Sequence, residues 1–199
     1  MNALCTVYIV ALNLILAGFS DDAVTVLGLY YKLQTFCLIP VLGLTTCIVP
    51  LISYNYAAGL LARCKSILWQ SIGISALCMG VGALVFLCIP AQLLGIFAEG
   101  QDNLIALGVP ALRIIGSSFV PTAFSMVIAV YFLALGMGIQ SIFLTVLRQI
   151  ILLAPLAWCF AHLGLIYVWL AFPVTELVTA AAAWILYRKY PLCTAAPSS

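Results

Sequence analysis

Sorted only into polar and apolar positions, the chain is six long apolar runs separated by short polar punctuation. The runs extend approximately from Asn2 to Phe19, Ala23 to Ile52, Ser66 to Ile89, Leu104 to Leu135, Ser141 to His162 and Leu165 to Tyr187. At a rise of about 1.5 Å per residue, each can cross a hydrocarbon layer of roughly 30 Å. None shows the strict alternation of a barrel strand. Lipid offers no water to an open backbone, so all six are expected to be helices. The breaks are "SDD" at 20–22, "SYNYAAGLLARCK" at 53–65, "AEGQDN" at 98–103, "GMGIQ" at 136–140 and a turn at Gly164. Connections this short imply antiparallel neighbours. The expected fold is all-α: an integral membrane bundle of six transmembrane helices, one unit over residues 1–199.

Two runs, Ala23 to Ile52 and Leu104 to Leu135, exceed what a bilayer needs, at roughly 45–48 Å of helix. Pro40, Pro50, Pro110 and Pro121 lie in them. Proline removes a backbone hydrogen bond and bends a helix, so these runs are expected to tilt or kink, as helices bordering a rearranging cavity do.

Composition narrows the class. The chain is 66% hydrophobic and 6% charged with mean hydropathy +1.29, whereas soluble domains carry about 25% charged residues. The formal charge of +2 is dispersed, and no basic run exists to follow a nucleic-acid backbone. Charge instead reports topology. Asp21, Asp22, Glu99 and Asp102 mark one set of breaks, and Arg63, Lys65, Arg188 and Lys189 the other set and the C-terminus. The positive-inside rule then predicts a multi-pass protein of the cell membrane with both termini cytoplasmic. On this reading Tyr54 and Tyr56 anchor at the headgroups and Gly59 relaxes a helix end.

The eight cysteines include no C-x-x-C pair, and the single histidine is His162. They are expected to be small buried hydrophobes rather than disulfides or metal ligands. The apolar N-terminus lacks a preceding Lys or Arg and reads as a helix whose cytoplasmic lead-in is missing, not as a signal peptide. The polar tail Thr194 to Ser199 is expected to fray. No G-x-S-x-G, H-E-x-x-H or P-loop is present, so an enzyme is not expected and no cofactor is implied.

Charges inside the runs carry the candidate chemistry, because one at mid-bilayer costs about 2.5–3.5 kcal/mol on insertion scales. Lys32 and Arg113 lie nine residues into over-long runs and are expected to snorkel to the interface. Glu176 lies eleven residues from either end of its run, about 16 Å from water, beyond snorkelling reach. It must be protonated, face water or hold a cation. Arg148, about 10 Å deep in the preceding helix, can span the difference if the two helices touch. Two readings follow: a structural ion pair locking the last helices, or a cation or proton site on a transport path. Ser118, Thr122 and Ser125 form a stripe at helical spacing, and Thr179 lies one turn beyond Glu176. Such hydroxyls serve close packing or line a polar cleft, and Asn13 shares that ambiguity.

Several stretches resemble a known family, the multidrug and toxic compound extrusion (MATE) transporters. These are "YYKLQTFCLIPVLGLTTCIVPLISYNYAAGLLAR" (Tyr30 to Arg63), "ALRIIGSSFVPTAFSMVIAVYFLALG" (Ala111 to Gly136), "LRQIILLAPLAW" (Leu147 to Trp158), "YVWLAFPVTE" (Tyr167 to Glu176) and Asn13 followed by "GFSDDAV". In that family they occur in this order in the C-terminal lobe, helices seven to twelve of twelve. The resemblance implies one lobe of an antiporter, driven by protons or sodium, that expels amphipathic, often cationic compounds. Glu176, Arg148, Gln149, Asn13, Ser118, Thr122, Ser125 and Thr179 are the candidates for its substrate or ion pathway. Ala57 and Leu133 depart from the family's usual glycine and glutamine. The first and fourth runs hold no Asp or Glu, so the sodium-coupled branch's acidic positions have no counterpart. The expected partners are the lipid bilayer, small organic cations, and either a missing N-terminal lobe or a second copy. The alternatives are a flippase of lipid-linked oligosaccharide in the same superfamily and a non-transporting membrane protein.

Overall fold

The computed structural model describes residues 2–97 and 102–190, with side chains for 8–97 and 103–190. Throughout these residues the chain is helical: α1 (Asn2–Ala17), α2 (Asp21–Ala57), α3 (Leu61–Cys88), α4 (Pro90–Gly95), α5 (Asp102–Gly116), α6 (Phe119–Ala134), α7 (Gly138–Val146), a π-helical stretch (Leu147–Leu153), α8 (Ala154–Ala161) and α9 (Leu165–Lys189). Among the described residues, four helices are long and apolar enough to cross a membrane, counting α7 to α8 as one, and the bent pair α5–α6 makes a fifth. The first expected span corresponds to α1, whose 16 residues make it the shortest, about 24 Å.

Several expected boundaries are corrected by the local chemistry. Asp21 and Asp22 sit in the first turn of α2 rather than in a break. The Ser20 hydroxyl accepts the Ala23 amide at 3.1 Å, and the two carboxylates suit the positive end of the helix dipole. The break expected at 53–65 shrinks to a three-residue turn. Helix α2 continues to Ala57, Asn55 is buried and donates to the Leu51 carbonyl at 2.8 Å, and Arg63 and Lys65 open α3. Gly59, at φ +73°, makes the reversal: the Leu60 amide donates to the Asn55 carbonyl and the Gly59 amide to Tyr56, a Schellman closure that favours glycine. The break expected at 136–140 becomes the same device at Gly136, with α7 beginning at Gly138. Likewise α9 runs through Arg188 and Lys189. Helix α4 was not expected. Glu99, the side chains of Cys5 and Asp102, Cys193 and the Thr194 to Ser199 tail lie outside the described residues.

The expected single fourth helix is broken, with α5 and α6 meeting at 47°. Pro121 cannot return a hydrogen bond to Ser117. The Ser117 and Ser118 hydroxyls donate to the carbonyls of Ile114 and Ile115 at 2.6 and 2.7 Å, and the Ser118 amide also bonds the Ile115 carbonyl, so these helix-end carbonyls have donors where lipid supplies none. Helix α2 by contrast runs unbroken through Pro40 and Pro50 for 37 residues.

Two apolar clusters stack along the bundle. One, around Leu12, Val26, Leu94, Leu104, Ile115 and Val168, occupies the end bearing Asp21 and Asp22. The other, around Ile52, Cys64, Tyr131, Phe132 and Ala183, occupies the end bearing Arg63, Lys65, Arg188 and Lys189. The acidic and basic ends separate as the charge pattern predicts. Helix α6 is central, packing on α2, α3, α7 and α9. Cysteine burial is corrected: among the described residues only Cys64 is buried by protein, Cys37 and Cys78 are half-buried, and Cys47, Cys88 and Cys159 are exposed on apolar helices. Such positions on an apolar helix face are open to lipid or to a further helix.

Small residues set the closest approaches. A β-carbon at Gly116 would stand 2.8 Å from the Phe86 β-carbon, and one at Gly82 2.9 Å from the Cys37 sulfur, so α5 and α2 lie against α3 at glycine contacts. Gly116→Leu is therefore expected to destabilise the fold by roughly 2 kcal/mol. Gly73→Ala, where no atom lies within 4 Å, is expected to leave the detergent-solubilised melting temperature unchanged or raise it.

Candidate functional site

Pro155, at the start of α8, has no N–H to donate to Ile151, and its ring would press on that carbonyl in a regular helix. The preceding turns widen into the π-helical stretch Leu147–Leu153, an irregularity that concentrates at functional sites. It carries Arg148 and Gln149. On α9, Glu176 faces it, with Arg148 Nη1 3.7 Å from Glu176 Oε1 and the two side chains 26% and 14% exposed. The pairing that sequence spacing allowed is thus present, and it is the one ion pair among the described residues.

Glu176 also faces the hydroxyls of Thr122 and Ser125 on α6. Their hydrogens go elsewhere: Thr122 donates to the Ser118 carbonyl at 2.7 Å and Ser125 to Thr122 at 3.1 Å. Thr145 and Thr179 likewise donate to carbonyls one turn back in their own helices, at 3.0 and 2.8 Å. A hydroxyl has one hydrogen and two lone pairs, so these oxygens turn acceptors toward the interior. Glu176 Oε2 is buried with no hydrogen-bond partner.

These groups line two connected clefts. The first, about 220 Å³, lies between α6, α7 and α9 and includes Ser125, Ser141, Thr145, Arg148, Gln149 and Thr179. The second, about 190 Å³, includes Tyr8, Tyr30, Tyr31, Gln34, Thr122, Phe172 and Glu176, and shares Met126, Arg148 and Gln149 with the first. Together they form one crevice with Arg148 at its waist. In the second cleft, Tyr30 meets Tyr31 and Phe172 at centroid distances of 5.2 and 5.5 Å, placing aromatic rings beside the carboxylate.

The structure thus brings together Glu176, Arg148, Gln149, Thr122, Ser125 and Thr179. It does not bring in Ser118, buried at the α5–α6 break, or Asn13, which donates to the Ile9 carbonyl at 3.0 Å. Lys32 and Arg113 are exposed and outside both clefts. Sequence reasoning missed the tyrosines, Gln34, Phe172, Ser141 and Thr145. The signal for the last two was available, since Ser141, Thr145 and Gln149 recur every fourth residue along one helix face. Leu133, the departure from the family pattern, is 47% exposed and lines the first cleft.

A helical bundle with apolar outer faces and a charge-paired polar crevice is the architecture of a multi-pass membrane protein. The MatE family model matches residues 1–159, and the chain belongs to that family of multidrug efflux transporters. It is 24% identical over 186 residues to the multidrug export protein MepA of Staphylococcus saprophyticus, covering 94% of this chain and 41% of that protein. MepA of Staphylococcus aureus is 25% identical over 181 residues, 88% of this chain and 38% of the relative. The chain therefore spans about two fifths of the curated relatives it matches. Among solved structures, an outward-facing MATE family multidrug resistance transporter of the MOP superfamily superposes with TM-score 0.91 at 19% identity, over 98% of this chain and 44% of that one. A MOP superfamily transporter from Pyrococcus furiosus gives 0.87 at 20% identity over 94% and 43%. The fold is that of one lobe of such transporters.

Breaking the pair from one side leaves a charge without its partner in a largely enclosed place. Arg148→Gln is expected to lower stability by roughly 3 kcal/mol, and Arg148→Gln with Glu176→Gln to recover most of that. A double-mutant cycle read by thermal unfolding in detergent checks the coupling, and additive losses would exclude it.

Proposed function

We propose that this chain forms one lobe of a cation-coupled antiporter, driven by protons or sodium, that expels amphipathic organic cations. The observation that carries this reading is Glu176: a mid-span carboxylate with one oxygen 3.7 Å from Arg148 and the other without a partner. Around it the Thr122 and Ser125 hydroxyls present acceptors, because their hydrogens are engaged in backbone bonds. A site made of a carboxylate, acceptor oxygens and aromatic faces selects positive charge. The flippase alternative fits less well, since pyrophosphate wants several free cations and the clefts offer Arg148 alone, already paired.

On this reading Arg148 is the resting counter-ion of Glu176, and an incoming cation exchanges with it. Both are held on separate helices, so exchange changes what holds α9 against the π-helical stretch. A second lobe, from a longer chain or a second copy, closes the crevice on its open side. The membrane is the cell membrane, with both termini and the basic end in the cytoplasm.

Glu176→Gln is expected to reduce ethidium efflux by at least about tenfold, with expression and monodispersity retained. Unchanged efflux in a correctly folded variant overturns the role of this carboxylate. For the topology, cysteines introduced at Asp22 and Lys189 in a background without native cysteines are expected to label from opposite sides of the membrane. Labelling from a common side rejects the orientation.

A further inference from the structure

Helix α6 has a second working face. Thr122, Met126, Ala129 and Leu133 turn toward the crevice, and at 100° per residue Phe124 and Tyr131 fall on the opposite side. There α3 and α9 flank α6, and their aromatic rings meet over it. Trp69 of α3 stands edge-on to Trp184 at 6.1 Å and to Tyr187 at 6.4 Å, and Phe124 closes on Trp184 at 6.2 Å.

Each helix adds a cation one turn toward the basic end. Lys65 precedes Trp69 by four residues, and Arg188 follows Trp184 by four, its guanidinium 5.0 Å over the Trp184 ring. Because the two helices run in opposite directions here, Lys65 and Arg188 stand beyond the same tryptophan pair. Both are exposed. Arg63 and Lys189 add two more exposed positive charges, and none of the chain's five acidic residues lies in α3 or in the last thirteen residues of α9. At this end α3 also begins without a side-chain cap.

We propose that this shelf binds the phosphate of an anionic phospholipid, with Lys65 and Arg188 on the headgroup and the Trp69–Trp184 pair against the glycerol and upper acyl region. Charge complementarity decides the headgroup: four cations without an acidic neighbour repel one another until an anion joins them. The position decides for lipid over free phosphate. Tryptophans concentrate at the level where headgroup meets acyl chain, and the surface below is apolar and exposed at Leu77 and Leu177. The site lies on the face of α6 opposite the crevice and is independent of the transport reading.

The test uses the purified chain in mixed micelles with brominated phosphatidylglycerol or brominated phosphatidylcholine, reading quenching of tryptophan fluorescence. Phosphatidylglycerol is expected to associate about fivefold or more tightly, the effect of one to two interfacial cations. Lys65→Gln with Arg188→Gln is expected to abolish that preference, each single change to reduce it, and Lys65→Arg with Arg188→Lys to retain it. Millimolar inorganic phosphate is expected to leave the quenching unchanged. Equal association of the two lipids, a preference that survives the double glutamine change, or displacement by inorganic phosphate would overturn the proposal.

Discussion

Every departure from a regular helix in this chain must satisfy its own backbone, because lipid supplies no hydrogen-bonding solvent. That constraint explains where the irregularities fall and which residues attend them. At the α5–α6 break, serine hydroxyls bond the carbonyls of Ile114 and Ile115. At the two reversals at one end of the bundle, Gly59 and Gly136 adopt positive φ so that amides reach back to helix-end carbonyls. Ser53 ties these reversals together by donating to the Ala134 carbonyl at 2.8 Å across the helix pair. Ahead of Pro155 the helix widens into a π-turn instead of breaking.

The same constraint concentrates polarity. The π-helical stretch sets Arg148 and Gln149 toward the bundle interior, where α9 supplies Glu176 and α6 supplies hydroxyls. The hydroxyls of Thr122, Ser125, Thr145 and Thr179 satisfy carbonyls of their own helices, and their lone pairs remain for the crevice. A stripe of Ser and Thr that looks chemically neutral in sequence becomes, once its hydrogens are assigned to the backbone, a wall of acceptors. Arg148 is then the internal group that compensates it. The ion pair locks α9 to the π-helical stretch, and on the proposed reading the same contact is the one an exogenous cation loosens.

The legible part of this architecture was what depends on bulk partition. Hydropathy located the apolar runs, charge separated the two ends, and depth marked Glu176 as the residue that could not reach water. Boundaries were less legible wherever polar side chains serve a helix instead of ending it. Asn55 bonds its own backbone, Asp21 and Asp22 sit favourably on a helix N-terminus, and Arg63 and Lys65 extend from a first turn. All of these look like loop chemistry in a linear string. The α5–α6 bend was recoverable only in part. Pro40 and Pro50 lie in a continuous helix while Pro121 lies beside a break, and the difference is the serine pair one turn upstream together with Gly116, whose missing side chain lets α5 press against Phe86. The aromatic wall was missed because Tyr8, Tyr30, Tyr31 and Phe172 come from three different helices, and their convergence is a property of packing.

Helix α6 shows how one apolar segment can serve two environments. Its mean composition is the most hydrophobic in the bundle, yet its hydroxyls and Met126 are gathered on one side and Phe124 and Tyr131 on the other. The first side meets the carboxylate of α9, and the second supports the ring cluster of Trp69, Trp184 and Tyr187. Because α9 contributes Glu176 to one environment and Trp184 to the other, any shift of α9 at the crevice must also move Trp184 against α6 and α3. The aromatic cluster then resists such a shift through its own packing, and the energy of the crevice and that of the membrane interface meet in a single helix.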